Sequence, residues 1–120
     1  MIRFNSMIKQ LISKDIKIYL QSNSKKILLD VRTEEEWKIY GKPDAKKLGL
    51  KVFFLTIQDE NFLKEFKSLS INKDFEILTM CKIGQRSQFV AQLLEKEGYI
   101  CVNISDGFDG WKSSDLPCMY

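Results

Sequence analysis

Residues 76–104 read EILTM-CKIGQR-SQFVAQLLEKEGY-ICVNI, running from Glu76 to Ile104. Glu76–Met80 and Ile100–Ile104 are compact apolar runs of strand length. Between them Phe89, Val90, Leu93 and Leu94 recur at helical spacing and form the expected inner stripe. Ser87 is placed to cap that helix and Gly98 to end it. A helix joining two strands makes a crossover unit, in which the strands run parallel.

The same rhythm extends towards both ends. Lys26–Val31 (KILLDV) is a buried strand, and Thr33-Glu34-Glu35-Glu36 follows at once with acidic residues where a helix begins. Lys51–Thr56 (KVFFLT) is a further buried strand, and Asp59 can cap a helix carrying Phe62, Leu63 and Phe66 on one face. Gly41, Pro43 and Gly49 mark a loop between them. Upstream, Ser13 is a good N-cap for a short helix holding Ile16, Ile18, Tyr19 and Leu20, and Ile8–Ile12 is a weak strand candidate. Asp106–Trp111 is a turn or short helix. The expectation is a single α/β domain over residues 1–120, with a mainly parallel central sheet flanked by helices.

Composition limits the chemistry. The chain has 120 residues, 44% hydrophobic, and a net charge of +3, too slight to indicate nucleic acid or an anionic membrane as a partner. It has no histidine, which removes Ser-His-Asp and Cys-His nucleophile systems and histidine metal sites. No metal or other cofactor is expected. Cys81, Cys101 and Cys118 form no Cys-x-x-Cys pair, so neither a zinc site nor a dithiol motif is available. Free thiols and apolar runs of at most four residues fit a protein of the reducing cytoplasm.

The segment that carries chemistry is Cys81-Lys82-Ile83-Gly84-Gln85-Arg86-Ser87. A strand delivers a cysteine to a tight turn and a helix starts directly afterwards, beyond the carboxyl end of the sheet where ligands bind in such folds. Backbone N–H groups converge there into an anion cradle. The helix dipole and the cations Lys82 and Arg86 favour a thiolate at Cys81, which supplies a nucleophile without an imidazole. Of the 19 cationic residues only Arg3, Arg32 and Arg86 are arginine, and two of these sit beside candidate motifs.

Three segments resemble the single-domain rhodaneses, a sulfurtransferase family, over nearly the whole chain. Leu29-Asp30-Val31-Arg32 with Glu36-Trp37 resembles that family's Asp-Val-Arg-x-x-x-Glu-aromatic signature. The Cys81–Ser87 loop resembles Cys-Arg-x-Gly-x-Arg-Ser. Asp106-Gly107-Phe108-Asp109-Gly110-Trp111, with Leu116-Pro117, resembles the closing Gly-Gly-x-x-x-Trp turn and Leu-Pro. The resemblance implies a rhodanese-like fold and a persulfide cycle. Cys81 would take sulfane sulfur from a small donor anion such as thiosulfate and pass it to cyanide, a thiol or a protein acceptor. Cys81 and Arg86 would be catalytic. Lys82, Ile83, Gly84, Gln85 and Ser87 would form the binding loop, with Asp30, Arg32, Glu36, Gly107 and Trp111 in support.

There are departures. Lys82 replaces the family's frequent Arg, Gly41-Lys42-Pro43-Asp44-Ala45 replaces Gly-His-x-Pro-Gly-Ala, and Asp109 interrupts an apolar turn. Asp30, Arg32 and Glu36 read better as a structural ion-pair set than as substrate contacts, and Trp111 as a packed turn. Cys101 reads as core and Cys118 as an incidental thiol on a mobile tail. Two other functions compete. One is a persulfide carrier that docks on a partner protein. The other is a cysteine phosphatase or arsenate reductase, disfavoured because only four residues separate Cys81 from Arg86, one fewer than the five that phosphatases of the related fold use.

Overall fold

The computed structural model describes residues 8–120. Its strands in chain order are β1 (Lys9–Leu11), β2 (Lys26–Asp30), β3 (Lys42–Pro43), β4 (Lys51–Phe54), β5 (Glu76–Met80), β6 (Ile100–Ile104) and β7 (Cys118–Met119). Five of them form one all-parallel sheet in the order β1-β6-β5-β2-β4, while β3 and β7 pair antiparallel in a small ribbon. The helices are α1 (Ile16–Tyr19), α2 (Glu34–Tyr40), α3 (Phe62–Ser68), α4 (Gln85–Lys96) and α5 (Gly107–Ser113).

Strand alternation divides the core. Ile27, Leu29 and Ile77 pack with Phe62 and Phe66 of α3 and with Val90, Ala91 and Leu94 of α4. Leu28, Leu78 and Met80 point the other way, onto Ile16, Phe108 and Trp111. Both faces of the sheet are therefore covered, as a parallel sheet requires.

The connections set the position of the site. From β2 the chain passes to β4 on one side of the sheet, and from β5 to β6 on the other. The crevice beyond the ends of the adjacent strands β2 and β5 is thus a topological switch point. Asp30 ends β2 and Cys81 follows β5, and Val31 N donates to Met80 O at 2.9 Å across the gap.

Several local expectations need correction. The weak strand at Ile8–Ile12 is real and pairs with β6. Ser13 is not a helix cap: its N–H and its hydroxyl donate to Asp106, at 3.1 and 2.8 Å for Oδ1, tying the segment after β1 to the N-cap of α5. The buried strand expected over Lys51–Thr56 is the edge strand Lys51–Phe54, with Lys51 exposed and Val52, Phe53 and Phe54 half-buried, because only β2 flanks it. Asp59 accepts from Asn61 N at 2.8 Å in a turn before α3, while Asn61 holds the cap position. Phe89 is 59% exposed and leaves the inner stripe of α4. Adjacent helix residues diverge by about 100°, and Val90 takes the inward direction. Cys118 belongs to β7 and is not on a loose tail.

Candidate active site

Cys81 lies on the α3–α4 face of the sheet and is 1% exposed. Its Sγ accepts a hydrogen bond from Gly84 N at 3.1 Å, and Ser87 Oγ lies 3.3 Å away. The start of α4 differs from the sequence expectation. Gly84, at φ +101°, occupies the cap position, and Ser87 sits inside the first turn, fully buried. That turn leaves the N–H groups of Gln85, Arg86 and Ser87 without intrahelical acceptors, directed at the head of the crevice.

Two glycines let the loop close on β6 and α5. A Cβ at Gly84 would lie 2.2 Å from Ser105 O, and one at Gly107 would lie 2.3 Å from Lys82 O and 2.6 Å from Cys81 O. The first amides of α5 use that proximity: Phe108 N donates to Cys81 O at 2.8 Å and Asp109 N to Lys82 O at 3.1 Å. Gly107 therefore supports the loop through its backbone, as only a residue without a side chain can.

Asn103 is a site residue that the sequence reading missed. It is 2% exposed near the carboxyl end of β6. Its Nδ2 donates to Gly84 O at 3.1 Å and to Gln10 Oε1 at 2.9 Å, and its Oδ1 accepts from Ser87 Oγ at 2.6 Å. The side chain thus fixes both the loop backbone and the hydroxyl beside the thiol. Ser87 has one proton to give, and Asn103 is its nearest acceptor. The signal was present: a lone amide interrupts the apolar run ICVNI, and buried amides are retained where their hydrogen bonds are met.

Each loop cation has a carboxylate partner. Arg86 meets Glu36 in a two-pronged pair, with both N···O distances 2.7 Å. Glu36 Oε1 also accepts from Thr33 N at 3.0 Å, while Thr33 Oγ1 accepts from Glu36 N, completing a capping box at the start of α2. The Arg86 bond is the main reason that Glu36 is held down to about 2, and the same bond raises Arg86 above its ordinary value. Lys82 Nζ lies 2.9 and 3.2 Å from the two oxygens of Asp109, which raises its pKa, and 4.8 Å from the centroid of the Tyr40 ring. The two positive charges counted in the sequence are therefore matched by Glu36 and Asp109. Asp109, in the sequence only a departure from the family turn, is the partner of Lys82.

Asp30 and Arg32 form a fully buried pair at 2.8 Å. Arg32 Nη2 also donates to Gly41 O at 3.0 Å, and its guanidinium carbon stacks 4.2 Å from the centroid of Phe108. This pair joins the end of β2 to the β3 turn and α5. Glu36 is not part of it, which corrects the expectation of one three-residue set. Trp111 is a fully buried residue of α5, and its Nε1 donates to Pro117 O at 2.7 Å, well suited to a packing role. Ile83 and Gln85 are exposed at the loop rim. Burial pushes the Cys101 thiol up to about 12, and burial likewise raises Cys118. Cys118 packs with the α5 side of the core and Cys81 with the opposite side.

Among the described residues no helix is long and apolar enough to cross a membrane. The chain is 40% identical over 107 residues to the protein RP600 of Rickettsia prowazekii, covering 82% of this chain and 86% of that one. It is 31% identical over 99 residues to the adenylyltransferase and sulfurtransferase UBA4 of Candida albicans, which matches 82% of this chain but only 22% of its own length. Among solved structures it superposes on Rv0390 from M. tuberculosis with a TM-score of 0.79, at 26% identity, over 94% of this chain and 98% of that one. The model of the rhodanese-like domain matches residues 14–114, and with the all-parallel sheet and the cysteine loop at its switch point, the chain belongs to the rhodanese-like domain family.

Proposed function

We propose that this protein is a sulfurtransferase that carries sulfane sulfur as a persulfide on Cys81. The observation that carries the reading is the hydrogen bond from Gly84 N to Cys81 Sγ at the head of α4. A backbone donor held by a glycine turn is preorganised, and with the positive end of a helix it stabilises a sulfur anion at no further cost in reorganisation. Cys81 thiolate attacks the outer sulfur of a donor such as thiosulfate. A Cys81 S–S bond forms, the donor's S–S bond breaks, and sulfite leaves with the electron pair. A thiol or cyanide then attacks the outer sulfur and regenerates the thiolate. Arg86, on the first turn of α4 and paired with Glu36, lends its field to the sulfur anion from beside the loop, while Ser87 and Asn103 hold the loop in shape.

The relationship to a named sulfurtransferase supports this chemistry. In that relative the matched stretch is about a fifth of a longer chain, and a protein stands beside small thiols among the acceptors this reading allows. A second reading, a carrier that docks on its partner, draws on Ile83 and Phe89, exposed by 58% and 59% on the loop and on α4. We also place the protein in the cytoplasm, on the strength of its three free thiols.

Intact-protein mass after exposure to sulfane donors tests the reading. The parent should gain one sulfur and lose it to cyanide or a thiol, with catalytic turnover marking the enzyme and single loading the carrier. Cys81→Ser should gain none, and a Cys81→Ser protein that loads and transfers sulfur like the parent would refute the assignment.

A further inference from the structure

The charges around the loop bear on which donor it takes, given the persulfide reading above. Thiosulfate is a dianion, and attack on it by a thiolate gathers three negative charges in one transition state, so a site built for it needs cations free to face the anion. Here both loop cations are engaged. Arg86 is held by two 2.7 Å contacts to Glu36, whose own position is fixed by Thr33. Lys82 is held by Asp109 at 2.9 Å, on the first turn of α5. Of the other carboxylates near the loop, Asp106 is occupied by Ser13 and Asp30 by Arg32, while Glu34 and Glu35 on the first turn of α2 are exposed and make no ion pair among the described residues. With Cys81 as thiolate, the set Cys81, Lys82, Arg86, Glu36 and Asp109 carries a net negative charge.

Beside these pairs the rim carries no further charge on the loop itself, where Gln85 is neutral, and it includes apolar surface. Ile83 is 58% exposed and Tyr40 38% exposed, and Lys82 lies over the Tyr40 ring. Such a surface suits a carbon skeleton better than a sulfonate group.

We propose that the donor of this site is an organic persulfide, R–S–SH, attacked in its uncharged form, and that Asp109, by engaging Lys82, turns the loop away from dianionic donors. The step balances without an added oxidant or reductant. Cys81 Sγ bonds to the outer sulfur, the donor's S–S bond breaks, and R–S⁻ leaves with the pair. The proton stays on the transferred sulfur, giving Cys81–S–SH. Only one negative charge is present throughout, which paired cations accommodate.

The test measures single-turnover loading of Cys81 by intact mass with two probes, cysteine persulfide and thiosulfate, in the parent, Asp109→Asn and Asp109→Glu. Asp109 is an exposed side chain, so both variants should fold. The parent should load from cysteine persulfide at least about tenfold more efficiently than from thiosulfate. Asp109→Asn leaves Lys82 uncompensated and should raise thiosulfate loading about fivefold, with a steeper loss at high salt, while cysteine persulfide changes less than about twofold. Asp109→Glu keeps the charge and should retain the parent's discrimination. Thiosulfate loading of the parent as efficient as persulfide loading, or a shift of both donors together in Asp109→Asn, would overturn this inference and leave the persulfide cycle standing. Loading from neither probe would overturn the cycle itself, and this inference with it.

Discussion

Replacing Gly84 with alanine should damage the fold and the sulfur site together, and the sizes follow from the local geometry. Gly84 has φ +101°, and a Cβ there would lie 2.2 Å from Ser105 O and 2.8 Å from its carbonyl carbon. Non-bonded carbon contacts settle near roughly 3.5–4 Å, so loop and β6–α5 junction must separate by about 1 Å. Left-handed backbone costs an L-residue about 1–2 kcal/mol, and forced movement in a packed interior adds about 1–3 kcal/mol. The loss is therefore about 2–5 kcal/mol. A chain of 120 residues has an unfolding entropy near 0.25 kcal/mol/K, so Tm should fall by roughly 8–20 °C. Gly49→Ala is the control. Gly49 also has a positive φ, +74°, but nothing lies within 4 Å of a Cβ there, so about 1–2 kcal/mol is the expected loss.

The chemistry should suffer separately. Retreat of about 1 Å takes Gly84 N out of range of Cys81 Sγ, now 3.1 Å away. A hydrogen bond to a charged group contributes about 1.5–3 kcal/mol, so sulfur loading should slow by roughly 10- to 150-fold. Thermal unfolding followed by circular dichroism, and loading followed by intact mass at a temperature where every variant is folded, give the two readouts. A Gly84→Ala protein that melts with Gly49→Ala and loads at the parent rate would refute both the close approach and the role of the amide.

Glu36, lowered from 4.5 to about 2 chiefly by the Arg86 bond, favours the folded state above its unfolded pKa, and that contribution fades as pH falls from about 4.5 through about 2. Glu36→Gln should thus be less stable than the parent by about 1 kcal/mol at neutral pH, after allowance for solvent screening, and equal to it near pH 2. A gap constant with pH in urea titrations would count against the ion pair as its source. Cys118→Ser should keep full turnover with cyanide, because Cys118 packs on the opposite side of the core from Cys81. Loss of turnover, with a Cys81–Cys118 disulfide in peptide maps of the parent, would make it a resolving cysteine. Hydrolysis of small aryl phosphates should be negligible for a four-residue loop, and efficient cleavage dependent on Cys81 would restore the phosphatase reading.

The parts of the fold that could be read in advance depend on neighbours in sequence. The Thr33–Glu36 capping box spans four residues, and Gly98 ends α4 within one turn, so local pattern was enough for both. The same local reading misplaced the start of α4. Ser87 has the chemistry of a cap, but the tight approach of Gly84 to Ser105, 21 positions on, decides where the helix begins. Ser13 likewise has a cap's chemistry and gives its hydroxyl to Asp106, 93 residues away. Strands β1 and β7 are too short to show a period, and their pairing with β6 and β3 depends on the assembled sheet.

The nucleophile was legible because strand, turn and helix start are contiguous around Cys81, whereas the charge of the loop was not. Glu36 and Arg86 are separated by 50 residues and Lys82 and Asp109 by 27, so a count along the loop finds two cations and neither partner. The two pairs are also unequal. Glu36 answers to Thr33 as well as Arg86, and its side chain is 18% exposed. Releasing Arg86 would therefore loosen the first turn of α2. Asp109 has no second polar side-chain partner among the described residues, and its side chain is 49% exposed. An anion entering the loop meets the weaker restraint at Lys82, since an exposed pair contributes about 0–1 kcal/mol. The share of the discrimination that Asp109 controls, about fivefold, accordingly rests on the more yielding pair, at the position where this chain departs from its family's apolar turn.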